Sequence, residues 1–414
     1  MTQGRDAFSL AHRAALIVAA LAAMVVMAST SYALDDTVVV TNQGALLAGT
    51  ILSFDANGHK AKNIKPTTRI VTAGVPGLSV TDVLTGIGIN PTNGSGVFDS
   101  AYVLSDFDFL APGVAPAIMS IFAPGATGTN VTPIGLTLTT VVSGVLVVPL
   151  ALPQDVTFSV LATTGGPVGT DVGVGDVFVS NFDGGPGIPT TPGPGSIVHF
   201  PPDVATALNP AGLITNPFGM TPAQIPALVL QDSVFDPMTN PFGCATGVTT
   251  GLAGPVGVRL DTSNNIWVVN SGTADILEYP PGAFGCTPAT NAATPVGAGT
   301  LVRPGYLAID ALGDLWVTDL GVKGVQRPAV FEFSPSGALL ATIQGKKTGL
   351  KSPMGIALGG NPSNPNVYVA DVGAGAILKY EGAEDGGLLN IKTATRIQGN
   401  KTKMNQPVDL AIIP

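Results

Sequence analysis

The sequence predicts an all-β repeat protein, and three observations support that prediction. A short apolar strand ending in an aromatic residue recurs six times, as Ile51–Phe54, Met119–Phe122, Ile197–Phe200, Ile276–Tyr279, Val330–Phe333 and Ile377–Tyr380. Gly (53) and Pro (35) are abundant although 45% of residues are apolar, a composition typical of short buried strands separated by turns. The prolines Pro255, Pro304 and Pro353, which open three similar units, lie 49 residues apart. Units of this length cannot bury an apolar face alone, so they must stack on their neighbours.

Each of the three clearest units contains four predicted strands. In the first of them, Pro255–Asp261 is followed by Asn265–Asn270 and then by Ile276–Tyr279. A fourth strand ends the later units, for example Ala341–Gln344. Four antiparallel strands in 40 to 50 residues are the sequence form of a propeller blade. We expect the aromatic residues of the second strands to pack between neighbouring blades at equivalent positions; they are Trp267, Trp316 and Tyr368.

The same units resemble a known family. The pattern Pro-x-Gly-apolar-Ala-apolar-Asp, followed by Gly-Asp/Asn-apolar-aromatic-Val-x-Asp/Asn, is similar to the NHL repeat of six-bladed β-propellers. Residues 303–319 match it almost completely, and the good matches cover residues 255–413. Earlier units, at Asp176–Asn181 and Ala101–Ser105, follow the pattern more loosely. The resemblance implies an NHL-like six-bladed β-propeller.

The two ends of the predicted domain complete the blade count. Pro407–Ile413 has the form of a first strand, and Thr37–Asn42 has the form of a second strand. Together they make one blade shared by the two termini, which would close the ring and remove its exposed edges. We therefore predict six blades over residues 34–414.

The first 33 residues have the features of an export signal. Arg5 and Arg13 precede an uncharged apolar run from Ala14 to Ala28, and Ser31-Tyr32-Ala33 offers a cleavage site. The run is shorter than the roughly 20 residues of a membrane span, although an uncleaved anchor is the alternative. We expect a periplasmic or extracellular protein with no integral membrane span after cleavage.

Charge argues against nucleic acid as a partner. Removal of residues 1–33 takes away Arg5, Asp6 and Arg13, which changes the net charge from −9 to −10. An acidic surface repels phosphate backbones, and no basic stripe offsets that repulsion. We expect a monomer that binds a protein or a carbohydrate.

Residues 201–253 do not fit the strand pattern. They are rich in Pro, Asn and Ala, which predicts a long loop inserted after the third strand of the third blade. Long loops in compact folds are often functional. The segment is therefore either a binding loop or a decoration of the rim.

No catalytic and no cofactor-binding residue is predicted. After cleavage only His59 and His199 remain, too few for a three-histidine metal site, and His199 is expected to be partly exposed on its strand. No GxSxG elbow occurs, and no cysteine is paired with a plausible histidine. Lyases related to the resembled family use histidine-bearing metal sites, and this sequence lacks those residues.

Polar residues end the second strand of every predicted blade. They are Asn42, Ser105 or Asp106, Asn181, Asn270, Asp319 and Asp371. Such residues commonly stabilise turns by accepting hydrogen bonds from local backbone N–H groups. The alternative is a hard cation such as Ca²⁺, which takes carboxylate and amide oxygens, with Asn270, Asp319 and Asp371 as the candidate ligands.

Cys244 and Cys286 are the only cysteines, and export would permit a disulfide between them. Both follow Phe-Gly, so they are alternatively equivalent positions of two blades that the ring holds apart. A bridge would add about 4 kcal/mol of stability on the chain-entropy model.

Two functions remain open at this point. The missing histidine chemistry favours an exported, non-enzymatic propeller that acts as a binding or scaffold module. The alternative is a metal-dependent hydrolase or lactonase with a Ca²⁺-type site, because propellers support both kinds of function.

Overall fold

A computed structural model shows an all-β architecture. It describes residues 37–43, 49–55, 68–71, 83–89, 101–106, 118–122, 128–129, 135–136, 140–142, 145–147, 153–160, 162, 174–182, 195–200, 228–231, 251–280, 295–361, 364–381, 395–399, 402 and 404–413. Within these ranges every regular element is a strand. No helix in them has the length and apolar character that crossing a membrane requires.

The strands follow one another in chain order as follows. They are β1 (Thr37–Gln43), β2 (Thr50–Asp55), β3 (Thr68–Val71), β4 (Val83–Ile89), β5 (Ala101–Asp106), β6 (Ile118–Phe122), β7 (Gly128–Thr129), β8 (Gly135–Leu136), β9 (Thr140–Val142), β10 (Val145–Val147), β11 (Pro153–Phe158), β12 (Val177–Asn181), β13 (Ser196–Phe200), β14 (Leu228–Gln231), β15 (Pro255–Leu260), β16 (Ile266–Asn270), β17 (Asp275–Tyr279), β18 (Pro304–Ile309), β19 (Leu315–Asp319), β20 (Ala329–Phe333), β21 (Leu339–Gln344), β22 (Pro353–Asn361), β23 (Asn364–Asp371), β24 (Ala376–Tyr380), β25 (Thr395–Ile397) and β26 (Gln406–Ile413).

These strands form sheets in which sequence neighbours pair. The larger sheets have the orders β26-β1-β2-β3-β7, β4-β5-β6-β8, β11-β12-β13-β14, β15-β16-β17, β18-β19-β20-β21 and β22-β23-β24-β25, and β9 pairs with β10 in a hairpin. All pairings are antiparallel except that of β3 with β7. The predicted arrangement of short antiparallel units is therefore confirmed.

The recurrent signature occupies the same place in each larger sheet. It forms the third strand in each case, β2, β6, β13, β17, β20 or β24. The large aromatic residues of three second strands are likewise equivalent: Trp267 lies opposite Arg259, Trp316 opposite Ala308, and Tyr368 opposite Ala357. All three aromatic side chains are buried, as the repeat alignment predicts.

The core runs between neighbouring sheets. Trp267 packs in one apolar cluster with Tyr306 and Leu307 of the following sheet, and Tyr368 packs with Val38 and Val40 of the sheet after its own. The first strands lie side by side in the order β26, β4, β11, β15, β18 and β22, and β22 also contacts β26. Sheets that meet along their first strands have the arrangement of a β-propeller.

The last strand pairs with the first described strand. Thr37 lies opposite Ile413 and Val40 opposite Leu410, in an antiparallel ladder with one irregularity before Asn42. The buried Leu410 packs against Val38 and Val40, so apolar contacts reinforce the backbone ladder.

The predicted loop at residues 201–253 needs a correction. Leu228–Gln231 is a strand that pairs with β13 and completes its sheet as the fourth strand. Four residues among prolines are too short to show a period, but their apolar sequence Leu-Val-Leu suits a sheet edge. Apart from Gly251, Leu252 and Ala253, the rest of the segment lies outside the described residues, as do the predicted signal, residues 1–33, and both cysteines, Cys244 and Cys286.

Candidate ligand pocket

One aligned position near the start of each first strand alternates between glycine and a larger polar residue from strand to strand. In order around the first strands these residues are Asp409, Gly86, Asp155, Gly257, Tyr306 and Gly355. A Cβ at Gly355 would lie 2.5 Å from Cα of Asp409, and one at Gly86 would lie 3.0 Å from Cα of Asp155. The alternation therefore lets adjacent strands approach closely while three large polar side chains share the centre.

Tyr306 crosses the space between the first strands. Its hydroxyl lies 2.9 Å from the carbonyl oxygen of Gln154 on β11 and 3.1 Å from that of Thr85 on β4. Neither strand belongs to a sheet next to that of Tyr306. Because the tyrosine is fully buried, its ring closes the axis at this level.

Asp155 and Arg259 form an ion pair beside Tyr306. Nη1 of Arg259 donates to Oδ2 of Asp155 and also to the carbonyl oxygen of Val258, at 2.7 Å in the second case. Backbone N–H groups of Val156 and Val258 donate to the two carboxylate oxygens at 2.8 and 3.0 Å. Burial raises the pKa of Asp155, while Arg259 and these N–H groups favour the charged carboxylate.

Asp409 is the second carboxyl group at the centre. We call Asp155, Arg259, Tyr306 and Asp409 together the central cluster. Its Oδ2 accepts a hydrogen bond from the backbone N–H of Ile87 at 2.9 Å, whereas its buried Oδ1 has no hydrogen-bond partner among the described residues. Burial and the nearby charge of Asp155 hold the pKa of Asp409 well above its ordinary value. A neutral Asp409 leaves the pair of Asp155 and Arg259 balanced in charge.

The buried Asp409 predicts a particular dependence of stability on pH. In the unfolded chain the carboxyl loses its proton near pH 3.9, but in the folded protein it keeps the proton to higher pH. The folded state then binds more protons, so Asp409 lowers the free energy of unfolding as the pH rises through this window. Asp409→Asn, which resembles the neutral acid, should remove that loss. Urea denaturation from pH 4 upward should show the variant gaining stability relative to wild type, at no more than about 1.4 kcal/mol per pH unit.

A surface variant serves as the control for net charge. Glu381→Gln removes one negative charge from a side chain that is 66% exposed, so its stability should track that of wild type at every pH. A difference between Asp409→Asn and wild type that stays constant with pH would contradict the raised pKa.

A pocket of about 230 Å³ lies at one end of the first strands. On each first strand, the residues that line the pocket come after the residue that belongs to the alternating position described above. Every larger sheet contributes at least one lining residue. Its lining is Ile87, Gly88, Ile89, Val156, Thr157, Phe158, Arg259, Ala308, Ile309, Ile356, Ala357, Leu358, Leu410, Ala411 and Ile412. Among the described residues of that lining, Thr157 and Arg259 alone have polar side chains. At the position of Arg259, three other first strands carry alanine and one carries glycine; they are Ala308, Ala357, Ala411 and Gly88. A Cβ at Gly88 would lie 2.8 Å from the ring of Phe158, so the open side of the pocket is the one that the three alanines border.

The candidate metal ligands from the sequence lie on the second strands, beside the opposite end of the first strands. Asn270, Asp319 and Asp371 sit opposite the opening prolines Pro255, Pro304 and Pro353. They occupy equivalent positions, as predicted, and they are buried, but each one binds the loop that leads into its own sheet. The structure does not join them in one site.

Their oxygen atoms accept hydrogen bonds from the backbone. Oδ2 of Asp319 accepts from the N–H of Val302 at 2.7 Å, and Oδ2 of Asp371 accepts from that of Lys351, also at 2.7 Å. Oδ1 of Asn270 accepts from the N–H of Ala253 at 3.2 Å. Oδ1 of Asn42, in the sheet that contains β1 and β26, likewise accepts from the N–H of Asn405 at 2.7 Å. These contacts match the turn-stabilising role and leave less capacity for a cation.

His199 is buried, which corrects the expectation that it is partly exposed. Its Nε2 lies 2.7 Å from Oδ2 of Asp176, and its ring stacks on Phe178 with centroids 4.5 Å apart. The carboxylate and the stacked ring compensate for the burial of the polar imidazole. His59 lies outside the described residues.

Three carboxyl groups approach one another elsewhere, on the sheet of β18–β21. Asp310, Asp314 and Glu332 each place an oxygen within 4.8 Å of the others. Asp310 accepts hydrogen bonds from the N–H of Leu312 and from Nε1 of Trp316, at 2.9 and 3.2 Å. None of the three lines the pocket.

Sequence analysis missed the central cluster, although a signal for it exists. Aligned first strands read Pro304-Gly-Tyr-Leu-Ala-Ile and Pro353-Met-Gly-Ile-Ala-Leu, whereas Pro255-Val-Gly-Val-Arg-Leu has Arg259 in place of alanine. Asp155 and Asp409 likewise replace the glycine or tyrosine of the other units. Charged residues that break a repeat at its innermost strand point to a central site.

Comparisons with known proteins add no assignment of family. No protein-family model matches this sequence, and no curated protein matches it. Solved structures with a similar chain path include a protein of unknown function from Bacteroides caccae, with 11% identity, a TM-score of 0.45, and coverage of 92% of this chain and 99% of that one. A luciferin-regenerating enzyme gives 13% identity, a TM-score of 0.38 and 91% coverage of each chain. Virginiamycin B lyase from Staphylococcus aureus gives 10% identity and a TM-score of 0.35 over 73% of this chain and 68% of its own. Function is therefore inferred from the pocket's own geometry.

Proposed function

We propose that residues 34–414 form a six-bladed, NHL-like propeller whose ring is closed by strands from both ends of the domain. Pairing of β26 with β1 supports closure, as does the succession of contacts among β26, β4, β11, β15, β18 and β22. In this arrangement the first strands surround one axis. The axis then holds the central cluster and the pocket described above.

The protein acts, in this proposal, as an exported binding module that holds a small molecule in the axial pocket. The observation that carries the proposal is the lining, in which the side chains of the described residues other than Thr157 and Arg259 are apolar. Ligand sites are concave, mostly apolar, and provided with a few polar groups that fix orientation. Arg259 compensates the buried charge of Asp155 and at the same time borders a space that alanine side chains leave open.

Binding explains the geometry better than catalysis does. Asp155, the charged carboxylate next to the pocket, is occupied by Arg259 and two backbone N–H groups, so it is poorly placed to act as a base or nucleophile. Asp409 does not line the pocket. The candidate metal ligands Asn270, Asp319 and Asp371 lie at the opposite end of the first strands. A retained ligand should therefore be recovered unchanged.

Methyl NMR of alanine-labelled protein tests the proposed binding site. Adding the small-molecule fraction of the source cells should shift the signals of Ala308, Ala357 and Ala411, because these methyl groups border the pocket. Ala341, a buried alanine on the outer strand β21, is the matched control and should stay unchanged. Mass spectrometry of the retained compounds would then show whether they have been altered.

Two results would count against this function. Shifts that spread equally to Ala341, or no shift at any alanine, would exclude the axial pocket as the ligand site. Chemical conversion of the retained compound would replace the binding module with an enzyme. Export is tested separately, since the secreted protein should begin at residue 34.

A further inference from the structure

We propose that the ligand of the axial pocket is a small organic anion, with an apolar body and one carboxylate held by Arg259 and Thr157. This inference rests on the function proposed above and names the chemical class of the molecule. It is argued from the unused hydrogen-bond donors of Arg259, the position of Thr157, the charge of the cluster and the size of the space.

Arg259 has donors to spare on the pocket side. Its Nη1 makes both of the hydrogen bonds found for this guanidinium within the described residues, to Asp155 and to the carbonyl oxygen of Val258. A guanidinium carries five N–H groups in a planar fork, so those on Nη2 and Nε remain for another acceptor. Only 18% of the side chain is exposed, and donors withdrawn from water gain most from a charged acceptor. A carboxylate matches the fork with two parallel hydrogen bonds.

Thr157 supplies a second polar contact at the same level. It occupies the position on β11 that Arg259 occupies on β15, and these two first strands are neighbours. Its hydroxyl can donate to a carboxylate oxygen that the arginine also binds. The remaining lining is apolar, so the carboxylate is fixed at this one side and the body of the ligand lies against Ala308, Ala357 and Ala411.

The charge of the central cluster favours an anion over a cation. Asp155 is fully buried, and both of its oxygens already accept hydrogen bonds, so it offers a cationic ligand no free acceptor. Asp409 lies below the pocket and does not line it. An ammonium group entering the pocket would meet Arg259, whose side chain alone is charged among the described lining residues, and would be repelled by it.

The volume sets the size of the ligand. An apolar cavity of roughly 150 Å³ accommodates benzene, so a pocket of about 230 Å³ suits a monocarboxylate the size of benzoate or hexanoate.

Matched pairs of probes test the charge of the ligand. Titration calorimetry on the purified protein would compare benzoate with benzamide, and hexanoate with hexanamide, since each pair differs in charge but hardly in shape. We expect the anion to bind about tenfold more tightly or better, because a hydrogen bond to a charged acceptor is roughly twice as strong as a neutral one. Thr157→Val, which keeps the volume, should weaken benzoate binding several-fold.

Removing Arg259 alone would leave Asp155 as an unpaired buried charge, and such a variant could fail to fold. The informative variant is therefore the double change Asp155→Asn with Arg259→Gln, which removes both charges together. Its circular dichroism should remain that of wild type, and it should bind each acid no more tightly than the corresponding amide. Arg259→Lys keeps the charge without the fork and should bind benzoate less tightly than wild type.

Each outcome separates the two proposals. If an amide binds as tightly as its acid, the pocket remains a ligand site but the proposed anion is wrong. If the double variant retains the preference for the acid, Arg259 is not the anchor. If none of the four probes binds at millimolar concentration, the small monocarboxylate is wrong, and the axial pocket as a ligand site is then decided separately by the methyl signals of Ala308, Ala357 and Ala411.

Discussion

Deleting residues 407–414 should abolish cooperative folding of the domain at ordinary temperatures. The deletion removes β26 from its ladder with β1 and takes away the buried side chains of Val408 and Leu410. Each of these side chains contributes roughly 1.5–3 kcal/mol by burial. The neighbouring first strands β4 and β22 lose a packing partner as well. Since a domain is stable by only about 5–15 kcal/mol, the combined loss is a large fraction of the total. Thermal denaturation followed by circular dichroism measures it.

The matched control removes Pro414 alone and leaves β26 intact, so its melting temperature should equal that of wild type. Adding a synthetic peptide of residues 406–414 to the truncated chain should restore part of the lost stability by pairing again with β1. A truncated protein as stable as wild type would show that the terminal strand does not hold the domain together.

Trp316→Ala should lower the free energy of unfolding by about 3–5 kcal/mol. The indole is 1% exposed and packs in the apolar cluster that also contains Ile356 and Val369 of the next sheet. Its Nε1 donates to Asp310 at 3.2 Å, so the substitution leaves a cavity between two sheets and also removes one hydrogen bond. Chemical denaturation with urea gives the difference directly.

Trp316→Phe separates packing from hydrogen bonding. Phenylalanine retains much of the apolar volume but cannot donate to Asp310, so its loss should be clearly smaller than that of alanine. A loss below about 1 kcal/mol for Trp316→Ala would mean that the side chain is not part of a packed core, because truncating a buried aromatic residue to alanine costs several kcal/mol. Equal losses for the two variants would assign the stabilisation to the hydrogen bond.

The repeat made much of the fold predictable. Strand pattern, the equivalence of Trp267, Trp316 and Tyr368, and the pairing of the last strand with the first described one all follow from residues that recur at a constant spacing. Such residues act locally: apolar side chains alternate along a strand, and glycine and proline end it. A local preference that recurs in every unit can be recognised from the sequence because each unit shows the same pattern.

Isolated deviations were harder to interpret. Strand β14 was missed because four residues, three of them apolar, are too few to show a period. His199 was expected to be partly exposed because alternation along one strand does not reveal what covers it. The row of Asn270, Asp319 and Asp371 was recognised correctly as equivalent positions, but the sequence left open whether their oxygens serve the backbone or a metal.

The sequence by itself determined the repeating unit, the all-β class and the equivalent buried positions, since these depend on patterns that each unit carries within itself. Only the tertiary structure decided where the chemistry lies. Asp155, Arg259 and Asp409 belong to three sheets separated by about a hundred residues or more along the chain, and they come together because β26, β4, β11 and β15 pack against one another in succession. Glycines on the intervening strands, such as Gly86 and Gly355, allow that close approach. Contact between residues so distant in sequence arises from the packing of whole sheets, and no local preference of the chain records it.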